Sequence, residues 1–320
     1  MQRKILIILL LTIPLLVSAQ KAGYKGSRRI KQGGFLSPKV KKTKEWVFGF
    51  GASNFLGDLG GANQIGTHFV KDFEFSMTRP SAQIGYRYRF QKRWAVKVGV
   101  YWQLVSGADR LTTEPFRQNR NLSFRSNIFE LSGQAEYYFT KQQVGRHYKI
   151  KHAKGMKNFN LQGYIFLGFG GFFFNPKAQY DGKWIALQPL GTEGEGLPGG
   201  GKKYSRVSVC IPYGLGFKNA LSDEWTIGLE VGMRQTFTDY IDDVHGVYYD
   251  NTAILNARGP MAAALADPSL YSMPGGDQRG LHQSGAGQER GDPKHTDSYM
   301  FVNITGTYVI PYRSKTRSKF

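Results

Sequence analysis

Long stretches of this chain alternate apolar and polar residues, and no other feature narrows its fold as much. Between Trp94 and Gln103, the residues Trp94, Val96, Val98, Val100 and Trp102 fall on one side, and Ala95, Lys97, Gly99, Tyr101 and Gln103 on the other. A β-strand has period two, so the segment has one apolar and one polar face. Just upstream, Ala82, Ile84, Tyr86, Tyr88 and Phe90 oppose Gln83, Gly85, Arg87 and Arg89, and only Gln91–Arg93 intervene, which predicts a tight hairpin. Val207–Lys218 and Trp225–Arg234 repeat the pattern, and further candidates lie near 45–56, 127–140, 158–174 and 298–311. These runs are near or above the ~9–11 residues of a tilted membrane strand and longer than the ~5–6 of an average soluble strand. No second apolar face is left for a sandwich partner. The expected fold is all-β: an antiparallel transmembrane β-barrel of about eight strands with long extracellular loops. A mean hydropathy of -0.39 is compatible with this, because only every second residue of a barrel strand faces lipid.

Met1–Ala19 reads as an export signal. Arg3 and Lys4 precede an apolar core from Ile5 to Val17, and Val17-Ser18-Ala19 offers small residues for cleavage before Gln20. The core is short for a spanning helix, which needs about 20 apolar residues. The expected organisation is a signal peptide over 1–19, a basic periplasmic extension over 20–44, the barrel over 45–312 and a basic tail over 313–320. Cys210, the single cysteine, lies in an apolar run and reads as a buried small hydrophobe.

Connections alternate between short and long, as in outer-membrane barrels with short periplasmic turns and long outer loops, except that the link after the fourth strand, Lys141–Lys157, is long for a periplasmic turn. This predicts an outer-membrane location with both termini periplasmic. The polar faces carry both signs of charge: Arg87, Arg89, Lys97, Arg206 and Arg234 with Glu130, Glu136 and Glu230. An eight-stranded barrel is just wide enough to be filled by its own side chains, so these residues are expected to pair and plug the bore.

The net charge of +20 is concentrated. Residues 20–44, 141–157 and 312–320 hold nineteen Lys or Arg and no acid, whereas 239–297 holds nine acids against four bases. By the predicted topology the three basic segments face the periplasm. Export and the barrel argue against a nucleic-acid partner. Attraction to lipid headgroups or to an acidic protein partner remains, with Lys39, Lys41, Lys42, Lys149, Lys151, Lys154 and Lys157 as candidate docking residues.

No catalytic set emerges, and no cofactor or metal is expected. Gly168–Gly171 lies within a strand candidate with no helix after it, which favours close strand packing over phosphate binding. Asp239, Asp242, Asp243 and Asp250 could gather around calcium, and His245 beside Asp242 and Asp243 is a weak catalytic candidate. Neither reading outweighs solvated loop acids.

Several stretches resemble the outer-membrane barrel component of type IX secretion, the PorG-like family. They are Gly51–Gly61, Arg120–Arg125, Leu187–Gly194, Ile211–Lys218, the run Thr238-Asp239-Tyr240-Ile241-Asp242-Asp243-Val244 with Tyr248-Tyr249-Asp250, then Gln278–Gly280 and Glu289–Asp292. The long basic start and His245-Gly246 depart from the family pattern. The resemblance runs from about Trp46 to Phe320. It implies a non-enzymatic part that helps place a periplasmic ring, made of a lipoprotein and its ring partner, at the outer membrane. It also implies support for protein secretion and often gliding motility. The alternative is a stand-alone small barrel with adhesive or ligand-binding outer loops.

Overall fold

The computed structural model describes residues 42–59, 75–112, 115–140, 161–222, 224–270 and 285–311. The chain divides into two units, Met1–Lys39 and Val40–Phe320, and all the described residues lie in the second. The proposed signal peptide lies outside them.

Among the described residues nine strands form in order: β1 (Thr43–Leu56), β2 (Arg79–Arg89), β3 (Trp94–Ala108), β4 (Ser123–Tyr138), β5 (Leu161–Tyr180), β6 (Lys183–Ala186), β7 (Val207–Ala220), β8 (Trp225–Thr236) and β9 (Ser298–Ile310). Each pairs antiparallel with its neighbours, β4 pairs with β5, and β1 pairs with β9 from Lys44↔Ile310 to Leu56↔Ser298. The ring closes through eight strands. Short β6 stands outside it, extending β5 as a hairpin over Lys177–Tyr180. Sequence alternation placed the eight barrel strands, but β5 runs to Tyr180, past the expected end near 174.

The expected faces are seen. Phe50, Leu131, Phe169 and Ile304 point outward and are more than half exposed. A water-soluble protein rarely leaves so continuous an apolar belt open, whereas lipid covers it. At one rim, Trp46 meets Tyr86, Trp94 meets Tyr137 and Trp225 meets Tyr308, ring centroids 5.4, 5.0 and 5.1 Å apart. This is the aromatic girdle of a membrane–water boundary. Within β5, Gly168 lets the strand approach its neighbour, since an added Cβ would sit 2.2 Å from the Gly133 carbonyl oxygen. That settles the glycine run as packing.

The girdled rim carries the start of β1, the end of β9 and the turns between β2 and β3 and between β7 and β8. The opposite rim carries the other connections, whose described parts fold into a cap. The cap includes α1 (Pro115–Arg120), α2 (Asn251–Arg258) and α3 (Pro260–Ala266). Asp250 caps α2 by accepting from the Thr252 N–H, and Gly259 ends it at φ 87, where a side chain would be strained. Ile254, Ala262, Ala263 and Ala266 bury the small core between these two helices.

Candidate functional site

Two buried polar regions and one basic rim bear on function. The first region fills the lumen. Near the girdled rim, Glu45 takes Arg87 at 3.2 Å and Lys218 at 3.1 Å, and the Arg89 guanidinium lies 3.9 Å from the centroid of the Tyr138 ring. One layer further, Glu136 meets Arg87 at 2.7 Å and accepts from Tyr138 at 2.7 Å, while Lys97 reaches Glu230 at 2.7 Å and Glu136 at 3.8 Å. Tyr164 donates to Glu230 at 2.7 Å. Higher still, Arg234 pairs with Glu130 at 2.8 Å and lies over Phe301. Above it, Phe55, Val105, Ile128, Phe172, Phe174 and Cys210 close the bore with an apolar layer. Every charged member of these pairs is fully buried or nearly so. Buried, paired side chains fill these layers of the lumen.

Seven of the eight expected lumen residues are there. Arg206 is not. It precedes β7 and lies over the outward ring of Phe173, 5.6 Å from its centroid, beside Asn175. Its parity was extended one residue past the strand's first ladder pair, where the pleat no longer fixes side-chain direction. Glu45 was missed. Its alternation with outward Trp46, Phe48 and Phe50 marks it as inward, and with Lys218 it completes the lowest layer.

The second region is the cap, where loop segments far apart in sequence meet. Asp109 is fully buried and takes Arg120 at 2.7 Å, Arg117 at 3.4 Å and the Leu122 N–H at 3.2 Å. Both arginines also donate to the Asp58 carbonyl at 3.1 Å. Arg290 donates to Glu193 at 2.9 Å and to the Asp243 carbonyl at 2.5 Å. Asp242 accepts from the Leu59 and Val244 N–H groups, and Asp297 accepts from the Ile241 N–H. The stretches that carry the family resemblance around Asp58, Arg120, Glu193, Asp242 and Arg290 therefore meet in one structure.

Acids outnumber bases in the cap, and their ionisation shows it. Burial above all, then the neighbouring Asp58 carboxylate, pushes Asp242 well above the usual range. Burial, then Asp242 and Asp239, does the same to Asp297. Asp239 is pushed up to about 10 by burial and by Asp242, and its Oδ2 lies 2.7 Å from His245 Nδ1. Burial raises Asp243 to about 7, against the pull of Arg290 and the hydrogen bonds from Thr192 and Tyr204.

The four loop acids do not gather around a cation. Asp250 caps α2, Asp239 faces His245, and Asp242 and Asp243 bind main-chain and hydroxyl donors. Among the described residues, no three His, Cys, Asp or Glu side chains are placed to hold a metal. His245 faces Asp239 rather than Asp242 or Asp243.

The basic rim is the third region. Lys42 is exposed just before β1. Lys39, Lys41, Lys149, Lys151, Lys154 and Lys157 lie outside the described residues. The strand ends that launch their segments are placed: β1 begins opposite the end of β9, and Tyr138 of β4 pairs with Tyr164 of β5 at the same rim.

A closed eight-stranded ring with a lipid-facing belt, an aromatic girdle and a plugged bore defines a small transmembrane β-barrel of the outer-membrane type. Residues 39–256 match the family described as "Domain of unknown function (DUF6089)", and the chain belongs to that family. No curated protein matches it. Solved structures of similar shape include Ail, the attachment invasion locus protein of Yersinia pestis, at 8% identity and TM-score 0.36, covering 84% of this chain and 99% of that one. The outer membrane protein OprG from Pseudomonas aeruginosa stands at 11% and 0.36, covering 85% and 98%. Neisserial surface protein A stands at 7% and 0.33, covering 83% and 95%. With TM-scores this low they bear on neither mechanism nor partner, and the barrel itself rests on the closed strand pairing.

Proposed function

We propose that this protein is a non-enzymatic outer-membrane subunit of a type IX secretion machine. In this reading it positions the periplasmic ring of a lipoprotein and its partner through a basic face. The observation that carries the proposal is the shared rim. The segments 20–44, 141–157 and 312–320 are far apart in sequence and hold no acid, yet the strand ends that launch them lie at one end of the barrel. That end is taken as periplasmic, with both termini there. The plugged lumen fits an anchor better than a conduit. Gliding motility belongs to the same reading.

The test is replacement of Lys149, Lys151, Lys154 and Lys157 by Gln. Ring proteins should co-purify less in mild detergent, the loss should deepen with salt because exposed charges are screened over about 8–10 Å, and secretion should fall while the barrel still migrates as folded. Undiminished co-purification at high salt together with normal secretion would return the basic rim to lipid headgroup attraction. The ordered cap favours a second reading, a stand-alone barrel whose outer loops bind a ligand or surface. Purification without any periplasmic partner would select it.

A further inference from the structure

The ladder between β4 and β5 comes apart at the cap. It ends at Arg125↔Lys177. Beyond that point, Phe124 and Ser123 keep their β3 partners Gly107 and Ala108, while Ala178–Tyr180 pair only with Ile185, Trp184 and Lys183 of β6. The cause is local. Asp109 binds both main-chain groups of Leu122: its N–H donates to the Leu122 carbonyl at 2.9 Å, and its Oδ2 accepts from the Leu122 N–H at 3.2 Å. Asn121 then turns at φ 53 out of α1 into β4. Beyond Lys177, β4 is thus held toward β3 and away from β5.

A strand directs its N–H and C=O groups alternately to its two sides. Part of the main chain of Ala178–Tyr180 therefore faces the side that β4 has left, and outside the β5–β6 hairpin no described backbone group pairs with it. A cavity of about 390 Å³ fills this wedge, with Asn121 and Ser123 on one wall and Ala178 and Gln179 on the other. Leu187 and Leu265 add apolar surface, and Arg110 and Asp181 bring charge of both signs.

We propose that this wedge binds an extended peptide segment, which adds as a strand along Ala178–Tyr180. An unpaired strand edge is a template for another chain, and main-chain hydrogen bonds then supply affinity while side pockets read alternate residues. The lining suits peptide over other ligands. No described aromatic ring lines the cavity to stack on a sugar, and its polar groups do not suit a lipid tail. Amide side chains beside Leu187 and Leu265 match a main chain with apolar side chains. The proposal does not depend on the secretion reading.

The probe is a short peptide of alternating valine and threonine, capped at both ends, titrated calorimetrically into the full-length barrel in nanodiscs. Saturable binding is expected. It should weaken by about tenfold or more, roughly 1.4 kcal/mol, when alternate peptide amides are N-methylated, because methylation removes the donors that strand addition needs. Ser123→Trp, which fills the wedge from an exposed position, should weaken binding equally while leaving folded migration on gels intact. The N-methyl comparison uses unaltered protein and so stands even if the variant folds poorly. Absence of saturable binding, or equal binding of the N-methylated peptide, would overturn the proposal.

Discussion

The lumen and the cap are both buried, polar and crowded with charge, yet they handle that charge differently. In the lumen four carboxylates, Glu45, Glu130, Glu136 and Glu230, face five cations, Arg87, Arg89, Lys97, Lys218 and Arg234. The carboxylates pair within 2.7–3.2 Å of a cation. In the cap Asp58, Asp239, Asp242 and Asp297 crowd together, and burial above all pushes each carboxyl above its ordinary range. Strands fix side-chain direction to the pleat, so opposite charges can be opposed across a lumen once and for all. Loops offer no such lattice: there Asp109 and Glu193 still find arginines, but Asp242 and Asp297 rest on main-chain donors instead.

The sharpest test of this contrast is Glu230→Leu. It leaves Lys97 with Glu136 at 3.8 Å as its remaining carboxylate, and breaking a buried pair in this way costs about 3–5 kcal/mol. The temperature of heat-modifiable migration should fall by many degrees. An unchanged midpoint would mean that lumen pairing is incidental. In planar bilayers the unaltered barrel should show no stable conductance, and steady channels abolished by Glu230→Gln would refute the plug.

In the cap, Asp109→Asn should act locally. It weakens the hold on Arg117, Arg120 and the Leu122 N–H, at about 1–3 kcal/mol for charge-assisted bonds of this kind. Faster protease cleavage within 237–297 is expected, with barrel migration unchanged. Loss of the whole barrel would make cap and lumen one cooperative unit.

The cap should also respond to pH in the direction its raised carboxyls dictate. A folded state that holds Asp243 at about 7 and Asp239 at about 10, against an ordinary value of 3.8, favours their protonated forms. That stability is fully present below pH ~4 and is lost as pH rises through 7 and then toward 10. Protease sensitivity of the cap should rise over this window, and a cap that tightens instead would contradict the burial argument. The smallest effect belongs to Asp239→Asn. An amide donates to His245 Nδ1 as the protonated acid does, so cleavage below pH ~4, where the acid's stabilisation is fully present, should barely change. Marked loosening there would show that Asp239 is ionised and paired with a charged histidine.

This contrast also explains how much the sequence discloses. Period-two alternation assigns a fold and a lumen together, because one residue of known direction orients its whole strand. Arg87, Lys97, Glu130, Glu136, Glu230 and Arg234 were legible for that reason, and Arg206 failed where the strand stops. The cap has no period to read. Its defining contacts, Asp242 to the Leu59 N–H and Arg120 to the Arg290 carbonyl, span 183 and 170 residues and depend on where barrel closure sets the loops. The family resemblance marked those stretches without giving their purpose.

The stitch between the first and last strands has a mechanical side. Thirteen residue pairs join β1 to β9, and both chain ends leave from the same rim. A pull on either end runs along the strands, across hydrogen bonds that lie perpendicular to them. The bonds then share the load in shear and must yield together, whereas a pull across the seam would open them one by one. A tether attached at this rim draws on the strongest direction of the barrel.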